Sequence, residues 1–323
     1  MASHNLSILH NLRLAQIGSM IRRILGLPYL KSDDFLPLVS QAEQTRLQSL
    51  AGTAKGEGPA PVLVLGILPR SGTNYLRDLI ALHPDVYGDP GRLYEFPLLQ
   101  SGKSAKAFMD DFIQRFPRNA EVVGRWDALA LTAGAWMRVL QVDAGPQHIL
   151  LKSPHVEGLS LAPHVFPNAK IVLCIRDGRD IIDSSLKTFS RWNLRGKNFA
   201  QLAQSWRLGA EAILAFDEGG PLAHPNVKIV RYEDLVADTN AELTRVFVHL
   251  ELDPNKCDMA AVDKMLVRGS SRATVTGDAR WRGAEKSADF SPLGRWKAWP
   301  EQRKAKFRKI VGPVLTKAGY DAQ

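Results

Sequence analysis

The run PVLVLGILPRSGTNYLRDLIALHP, Pro61–Pro84, constrains this chain more than any other segment. Val62–Ile67 is a short apolar run, and a run of that length bounded by turn residues reads as a strand buried on both faces of a parallel sheet. It passes directly into a turn of small polar residues and then into a helical pattern over Asn74–Leu82. A strand–turn–helix unit of this kind aims backbone N–H groups and a helix N-terminus at an anion. Ser71, Gly72 and Thr73 supply the N–H groups, Ser71 and Thr73 add hydroxyls, and Arg70 sets a fixed positive charge beside them. The spacing is not that of a nucleotide-hydrolysing phosphate loop, which needs G-x-x-x-x-G-K-[ST]. Here five residues separate Gly66 from Gly72, and Thr73 stands in the lysine's place. The plain alternative is an ordinary βα turn with a surface arginine.

Three further apolar runs have the look of buried strands: His148–Leu151, Lys170–Ile175 and Val227–Val230. Helical patterns lie between and around them, over Ala105–Phe116, Ala128–Val139, Asp180–Phe189 and Phe199–Phe216. Strands alternating with helices predict an α/β fold of three layers, P-loop-like, with a central, mainly parallel sheet flanked by helices. Residues 1–60 read as an N-terminal helical extension and linker, with Ala51–Pro61 the flexible part, and residues 61–323 as one domain. Within the extension, Leu6, Leu9, Ile17, Met20, Ile21, Ile24 and Leu25 fall roughly on one helical face, off which Arg22 and Arg23 lie. Such a helix over residues 5–27 suits either a peripheral membrane contact or packing on its own domain or on another copy in a homo-oligomer.

Composition excludes whole classes. A hydrophobic fraction of 45% with 23% charged residues rules out a mainly disordered chain, a collagen-like chain and a small disulfide scaffold. Lys and Arg exceed Asp and Glu by 42 to 33, a net +9, which favours an anionic partner. The two cysteines form no CxxC, and Cys174, inside IVLCI, reads as a buried small hydrophobe. No apolar run approaches membrane-spanning length and the N-terminus lacks a signal-peptide core, so a cytoplasmic location is expected.

A second cationic position follows the third long run. Arg176 ends IVLCIR, at the C-terminal edge of the sheet where ligands of open α/β folds bind. Ser184 follows about two helical turns later, so the pair can grip a phosphate separate from the one at Ser71–Thr73. A nucleotide phosphorylated on both its 5′ and 3′ sides needs two such sites. The alternative for Arg176 is a salt bridge to Asp177 or Asp180.

Taken together, these segments resemble the sulfotransferases that use 3′-phosphoadenosine 5′-phosphosulfate (PAPS). PRSGTNYL at Pro69–Leu76 is similar to that family's 5′-phosphosulfate loop, and Arg176 with Ser184 to its 3′-phosphate site. LLKSPH at Leu150–His155, VRYEDLV at Val230–Val236 and FSPLGRW at Phe290–Trp296 resemble further family segments, in the right order over roughly Val62–Asp321. HPDV at His83–Val86 and RDGR at Arg176–Arg179 are closest to tyrosylprotein-type and bacterial carbohydrate-type members. Arg70 and Tyr75 stand where cytosolic small-molecule members have lysine and tryptophan, which weighs against a phenol or steroid acceptor.

The resemblance implies transfer of a sulfuryl group to a hydroxyl or amine, on a carbohydrate, small molecule, lipid or peptide tyrosine. It implies PAPS as co-substrate, held by Arg70, Ser71, Gly72, Thr73, Asn74, Arg176, Ser184, Tyr232, Ser291 and Arg295. Arg70 is suited to the leaving oxygen because guanidinium stays protonated and donates two hydrogen bonds at once. Lys152 would contact the sulfonate or the same oxygen. The base is His155, because imidazole titrates near neutrality, or Glu95, with Asp89 a third choice. No metal is expected. Trp281–Phe290 has the glycine and charge content of a loop that orders on nucleotide binding. Two other functions compete: a P-loop-like kinase using ATP, which needs a lysine and a magnesium carboxylate in other places, and a basic nucleic-acid-binding protein. The densest basic stretch, Arg303–Lys309, carries a single aromatic and reads as the polar face of a helix, so no nucleic-acid partner is expected.

Overall fold

The computed structural model describes residues 30–88, 93, 95–188, 198–265 and 291–321, together with Ile21, Arg22, Ile24, Leu25, Leu27 and Pro28. Five strands form one sheet in the order β2–β3–β1–β4–β5: β1 Val62–Gly66, β2 Val86–Tyr87, β3 His148–Ser153, β4 Lys170–Ile175 and β5 Val227–Arg231. Every pairing is parallel. The α/β expectation is borne out. The chain fills one side of β1 first and then the other, so the loop after β1 stands at the switch point where such sheets bind ligands.

The sheet is buried because alternate residues feed two cores. Leu63 and Leu65 of β1, with Ile171, Leu173 and Ile175 of β4, face one core; Val62, Val64, Val172 and Cys174 face the other. The principal helices are α1 Gln41–Ala54, α2 Thr73–Ile80, α3 Gly102–Arg115, α4 Asp127–Ala144, α5 Gly178–Thr188, α6 Phe199–Leu214, α7 Thr239–His249 and α8 Glu301–Val311. The first core takes Leu47 of α1, Leu129 of α4, Trp206 of α6 and Phe307 of α8; the second takes Leu76 of α2 and Phe247 of α7. Cys174 is fully buried, as expected, and burial pushes its thiol up to about 12. Both cysteines are free. No helix among the described residues is long and apolar enough to cross a membrane, and most of the 5–27 segment lies outside them.

The structure departs from the sequence reading at its N-terminal side. The flexible stretch expected over Ala51–Pro61 begins as the last turn of α1. Its small residues follow from packing: a Cβ placed on Gly134 of α4 would stand 2.3 Å from the Ala54 Cβ and 2.8 Å from the Ala54 carbonyl carbon. A capping box starts α1, with Ser40 Oγ accepting from the Glu43 amide and Glu43 Oε2 from the Ser40 amide. Arg46 reaches from α1 to the buried Asp127 carboxylate at 2.7 and 2.5 Å. Phe35, Leu47 and Ala51 are buried in the same core as the sheet.

This crossing predicts the sign of one substitution. In an open helix, Gly→Ala stabilises by about 0.5–1 kcal/mol. At Gly134 the added methyl meets Ala54 backbone, so Gly134→Ala is expected to destabilise by roughly 1–3 kcal/mol. Urea unfolding reads it as a lower midpoint at unchanged slope. A raised midpoint would show that α1 does not close on α4.

Candidate active site

The loop after β1 is held in a conformation that its sequence alone does not favour. Arg70 has φ +81° and Gly72 φ +98°, with a turn closed between them by the Ser71 amide donating to the Leu68 carbonyl at 3.1 Å. For arginine this left-handed conformation costs about 1–3 kcal/mol. Glycine at 72 meets two needs: it takes the positive φ, and any Cβ there would lie 2.2 Å from the Tyr232 ring. Gly72 caps α2 without a side-chain hydrogen bond, so the first-turn amides of α2 have no side-chain cap there. Ser71 is fully buried, and its Oγ has no hydrogen-bond partner among the described residues. Its carbonyl accepts from the Cys174 thiol at 3.3 Å.

Strand register brings the second cation to this loop. Ile175 pairs with Arg231, so the next residues along β4 and β5 are Arg176 and Tyr232, side by side at the sheet edge. The Arg176 guanidinium carbon lies 4.5 Å from the Tyr232 ring centroid. Its Nη1 donates to the Arg70 carbonyl at 2.8 Å and its Nη2 to the Pro292 carbonyl at 2.5 Å. Its donors therefore serve carbonyls on two loops, while the neighbouring Asp177 pairs with Arg179 at 2.8 Å. Arg176 Nε is buried without a partner among the described residues. Ser184, two turns into α5, accepts from Arg70 Nε at 3.0 Å. The residues expected to hold two separate phosphates thus form one connected group, with Arg70 between Ser184 and Arg176. Burial raises the Tyr232 phenol pKa, with Arg176 and Arg295 acting in the opposite direction.

Lys152 stands on the other side of β1, near the end of β3. It is buried, and its Nζ donates to Asn74 Oδ1 of α2 at 2.6 Å and to Glu95 Oε1 at 3.2 Å. Burial lowers its pKa, and the Glu95 carboxylate works against that shift. Glu95 is carried there because the next amide, Phe96, donates to the Lys152 carbonyl at 2.8 Å. Of the two residues put forward as base, Glu95 is therefore joined to the start of α2, just after the β1 loop, through Lys152 and Asn74. His155 lies beyond β3 with Nδ1 3.5 Å from Glu157 Oε1. Thr73 is buried at the start of α2.

The C-terminal segment reaches the same edge. Ser291 Oγ donates to the Leu293 carbonyl at 3.3 Å, and the Arg295 amide donates to Asp180 of α5 at 2.7 Å. Asp89 and the Trp281–Phe290 stretch lie outside the described residues. Sequence reasoning missed the supports beneath the site: the fully buried Trp206, whose Nε1 donates to the Arg176 carbonyl at 2.9 Å, and the C-terminal amides as the partners of Asp180, which the sequence offered only as a salt-bridge partner of Arg176. Nothing in a helical pattern marks Trp206 for that role, since its partner is set by tertiary packing.

The model of the family described as the sulfotransferase family matches residues 61–256, from the start of β1 to beyond α7. A Caenorhabditis elegans protein, protein-tyrosine sulfotransferase A, is 24% identical over 279 residues, covering 81% of this chain and 68% of that one. Among solved structures, the sulfotransferase domain of the Synechococcus PCC 7002 olefin synthase is 21% identical, with a TM-score of 0.50 over 82% of this chain and 96% of that one. The sulfotransferase domain from the curacin biosynthetic pathway is 18% identical, with a TM-score of 0.48 over 82% and 99%. The resemblance to the sulfotransferases is borne out: with more than half of its length matched, the chain belongs to the sulfotransferase family.

Proposed function

We propose that this sulfotransferase moves the sulfuryl group of PAPS to a hydroxyl-bearing acceptor, with Arg70 and Lys152 at the transferring group and Glu95 as base. The observation that carries the reading is that Ser71 Oγ and Arg176 Nε, on residues adjacent or bonded to Arg70, are buried with no hydrogen-bond partner among the described residues. Buried polar groups are almost always hydrogen-bonded, so these two point to an anionic ligand over the loop. The residues present fit a doubly phosphorylated nucleotide: loop amides and Ser71 for its 5′ side, Arg176 and Ser184 for its 3′ side. PAPS supplies an activated sulfuryl group, whose bond to the phosphate oxygen breaks as the bond to the acceptor oxygen forms.

The residues then have distinct tasks. Arg70, fixed by its two neighbours, presents a permanent cation where negative charge grows on the departing oxygen. The Lys152 ammonium is aimed by Asn74 and Glu95, which ties the acceptor side of the cleft to the nucleotide side. Glu95 takes the acceptor proton, the role that its place beside Lys152 supports. The protein-tyrosine sulfotransferase relative adds weight to a hydroxyl as the accepting group, and peptide tyrosine is one acceptor to test.

Isothermal calorimetry tests the nucleotide. Adenosine 3′,5′-bisphosphate is expected to bind much more tightly than AMP or ATP, and transfer of labelled sulfate from PAPS follows with a hydroxyl acceptor panel. Equal affinity for all three nucleotides would overturn the reading.

Two substitutions test the chemistry. Arg70→Ala is expected to lower turnover by about 10²–10³ while changing nucleotide affinity far less, because its charge acts mainly in the transition state. An unchanged turnover number removes Arg70 from the mechanism. Glu95→Gln is expected to lower turnover by about 10²–10⁴, the usual worth of a general base, and His155→Ala to leave most of it. The reverse ranking would assign the base to His155.

A further inference from the structure

α5 does more than carry Ser184. One face of it, with Arg176 two residues before it, holds the C-terminal segment at four successive places. Arg176 Nη2 donates to the Pro292 carbonyl. The Asp180 carboxylate accepts from the Gly294 amide at 2.8 Å and the Arg295 amide at 2.7 Å. The Arg179 guanidinium lies 3.5 Å from the Trp296 ring centroid. Asp183 Oδ1 accepts from Trp299 Nε1 at 3.2 Å. Asp180 and Asp183 lie about one helical turn apart, with Arg176 leading into the helix, so the three form a single rail.

The centre of the rail is its least expected part. Asp180 is buried, and a buried carboxylate is costly unless its oxygens are fully engaged. Its two oxygens are spent on backbone amides that open the short 3₁₀ turn Arg295–Ala298. Asp180 shares this depth with the Arg176 guanidinium, whose charge it partly offsets, and it gives the Gly294 and Arg295 amides their acceptor. What the carboxylate does fix is backbone: Pro292 beside Arg176, and Arg295 within electrostatic reach of Tyr232.

We propose that Asp180 is a positioning residue for the 3′-phosphate end of the nucleotide, holding the Pro292–Trp296 segment so that Arg176 and Arg295 face one phosphate. The inference rests on the functional reading above. Asp180 does not touch the nucleotide. It acts through the segment that orients Arg176 from above, while Tyr232 orients it from the side.

The test separates this role from general structural support. Asp180→Asn keeps the shape of the side chain, loses the charge and replaces one acceptor by a donor. Calorimetry is run with adenosine 3′,5′-bisphosphate and with AMP, on the wild type, Asp180→Asn and Trp296→Leu. Trp296→Leu loosens the same segment from the Arg179 side without altering a buried charge, and it stands in should Asp180→Asn fail to fold. Both variants are expected to bind the bisphosphate about ten- to hundredfold more weakly, the worth of a hydrogen bond to a charged group. Affinity for AMP is expected to stay unchanged. With PAPS, KM is expected to rise by the same factor while turnover at saturation holds, the opposite of Arg70→Ala. Tryptic cleavage after Arg295 and Lys297 is expected to quicken in both variants and to slow again with the bisphosphate. Equal loss for both nucleotides, or none, overturns the inference while leaving the functional reading in place. A wild type that does not prefer the bisphosphate overturns the functional reading, and this inference with it.

Discussion

The contact on which the site depends is the seat of Arg176. Three adjacent parallel strands end in register, so the residues just beyond β4 and β5 meet beside the loop that follows β1. A buried guanidinium is costly unless its donors are used. Arg176 lies against the Tyr232 ring and donates to the Arg70 and Pro292 carbonyls. Hydrogen bonds to a charged group contribute about 1.5–3 kcal/mol each, comparable with the roughly 1–3 kcal/mol strain of a left-handed arginine. One such bond to the Arg70 carbonyl is therefore enough to hold the loop in its strained shape, provided that the sheet edge holds Arg176.

Beneath that contact lies a layer of carboxylates, each fixed by donors from a different part of the chain. Asp177 takes Arg179, Asp180 takes two C-terminal amides, and Glu233 accepts from the Asp177 amide at 2.9 Å and from the Tyr320 hydroxyl at 3.1 Å. Burial raises the pKa of both Asp180 and Glu233. Arg231 closes the arrangement from β5, donating to the Ala318 and Gly319 carbonyls and lying 4.3 Å from the Tyr320 ring centroid. The cations of the cleft are thus partly balanced from behind, in the low-dielectric interior, and the C-terminus is tied to the strand ends that build the site. Ala318, Gly319 and Tyr320 belong to this support.

What could be read from the residues alone follows from how local each signal is. The strand–turn–helix of Val62–Ile80 announces itself because apolar run, small polar turn and amphipathic helix are contiguous, and β4 was legible to the residue for the same reason. β2 is two residues long and has no periodicity to detect. The last turn of α1 was hidden because its small residues, suited to a close helix crossing at Gly134, have the composition of a linker; the Ser40–Glu43 capping box was the available signal for its start. That Arg70, Ser184 and Arg176 form one connected group, rather than two distant clamps, depends on strand order, which no local pattern encodes. The same holds for Asn74 and Lys152, which lie 78 residues apart in the chain and 2.6 Å apart in space.

The choice of cation at each place follows from what each must do in the proposed reaction. Arg70 and Arg176 each have to hold a loop and present charge at once, and a planar guanidinium does both because its several donors point in fixed, different directions. Arg70 spends Nε on Ser184, and Arg176 spends Nη1 and Nη2 on two carbonyls. Lys152 has a different task. An ammonium is a compact charge on a flexible stem, and burial has already lowered its pKa. It stands between Asn74 Oδ1 of α2 and the Glu95 carboxylate and donates to both. Its rotatable donors serve both acceptors from one atom, which the fixed planar fork of an arginine does not.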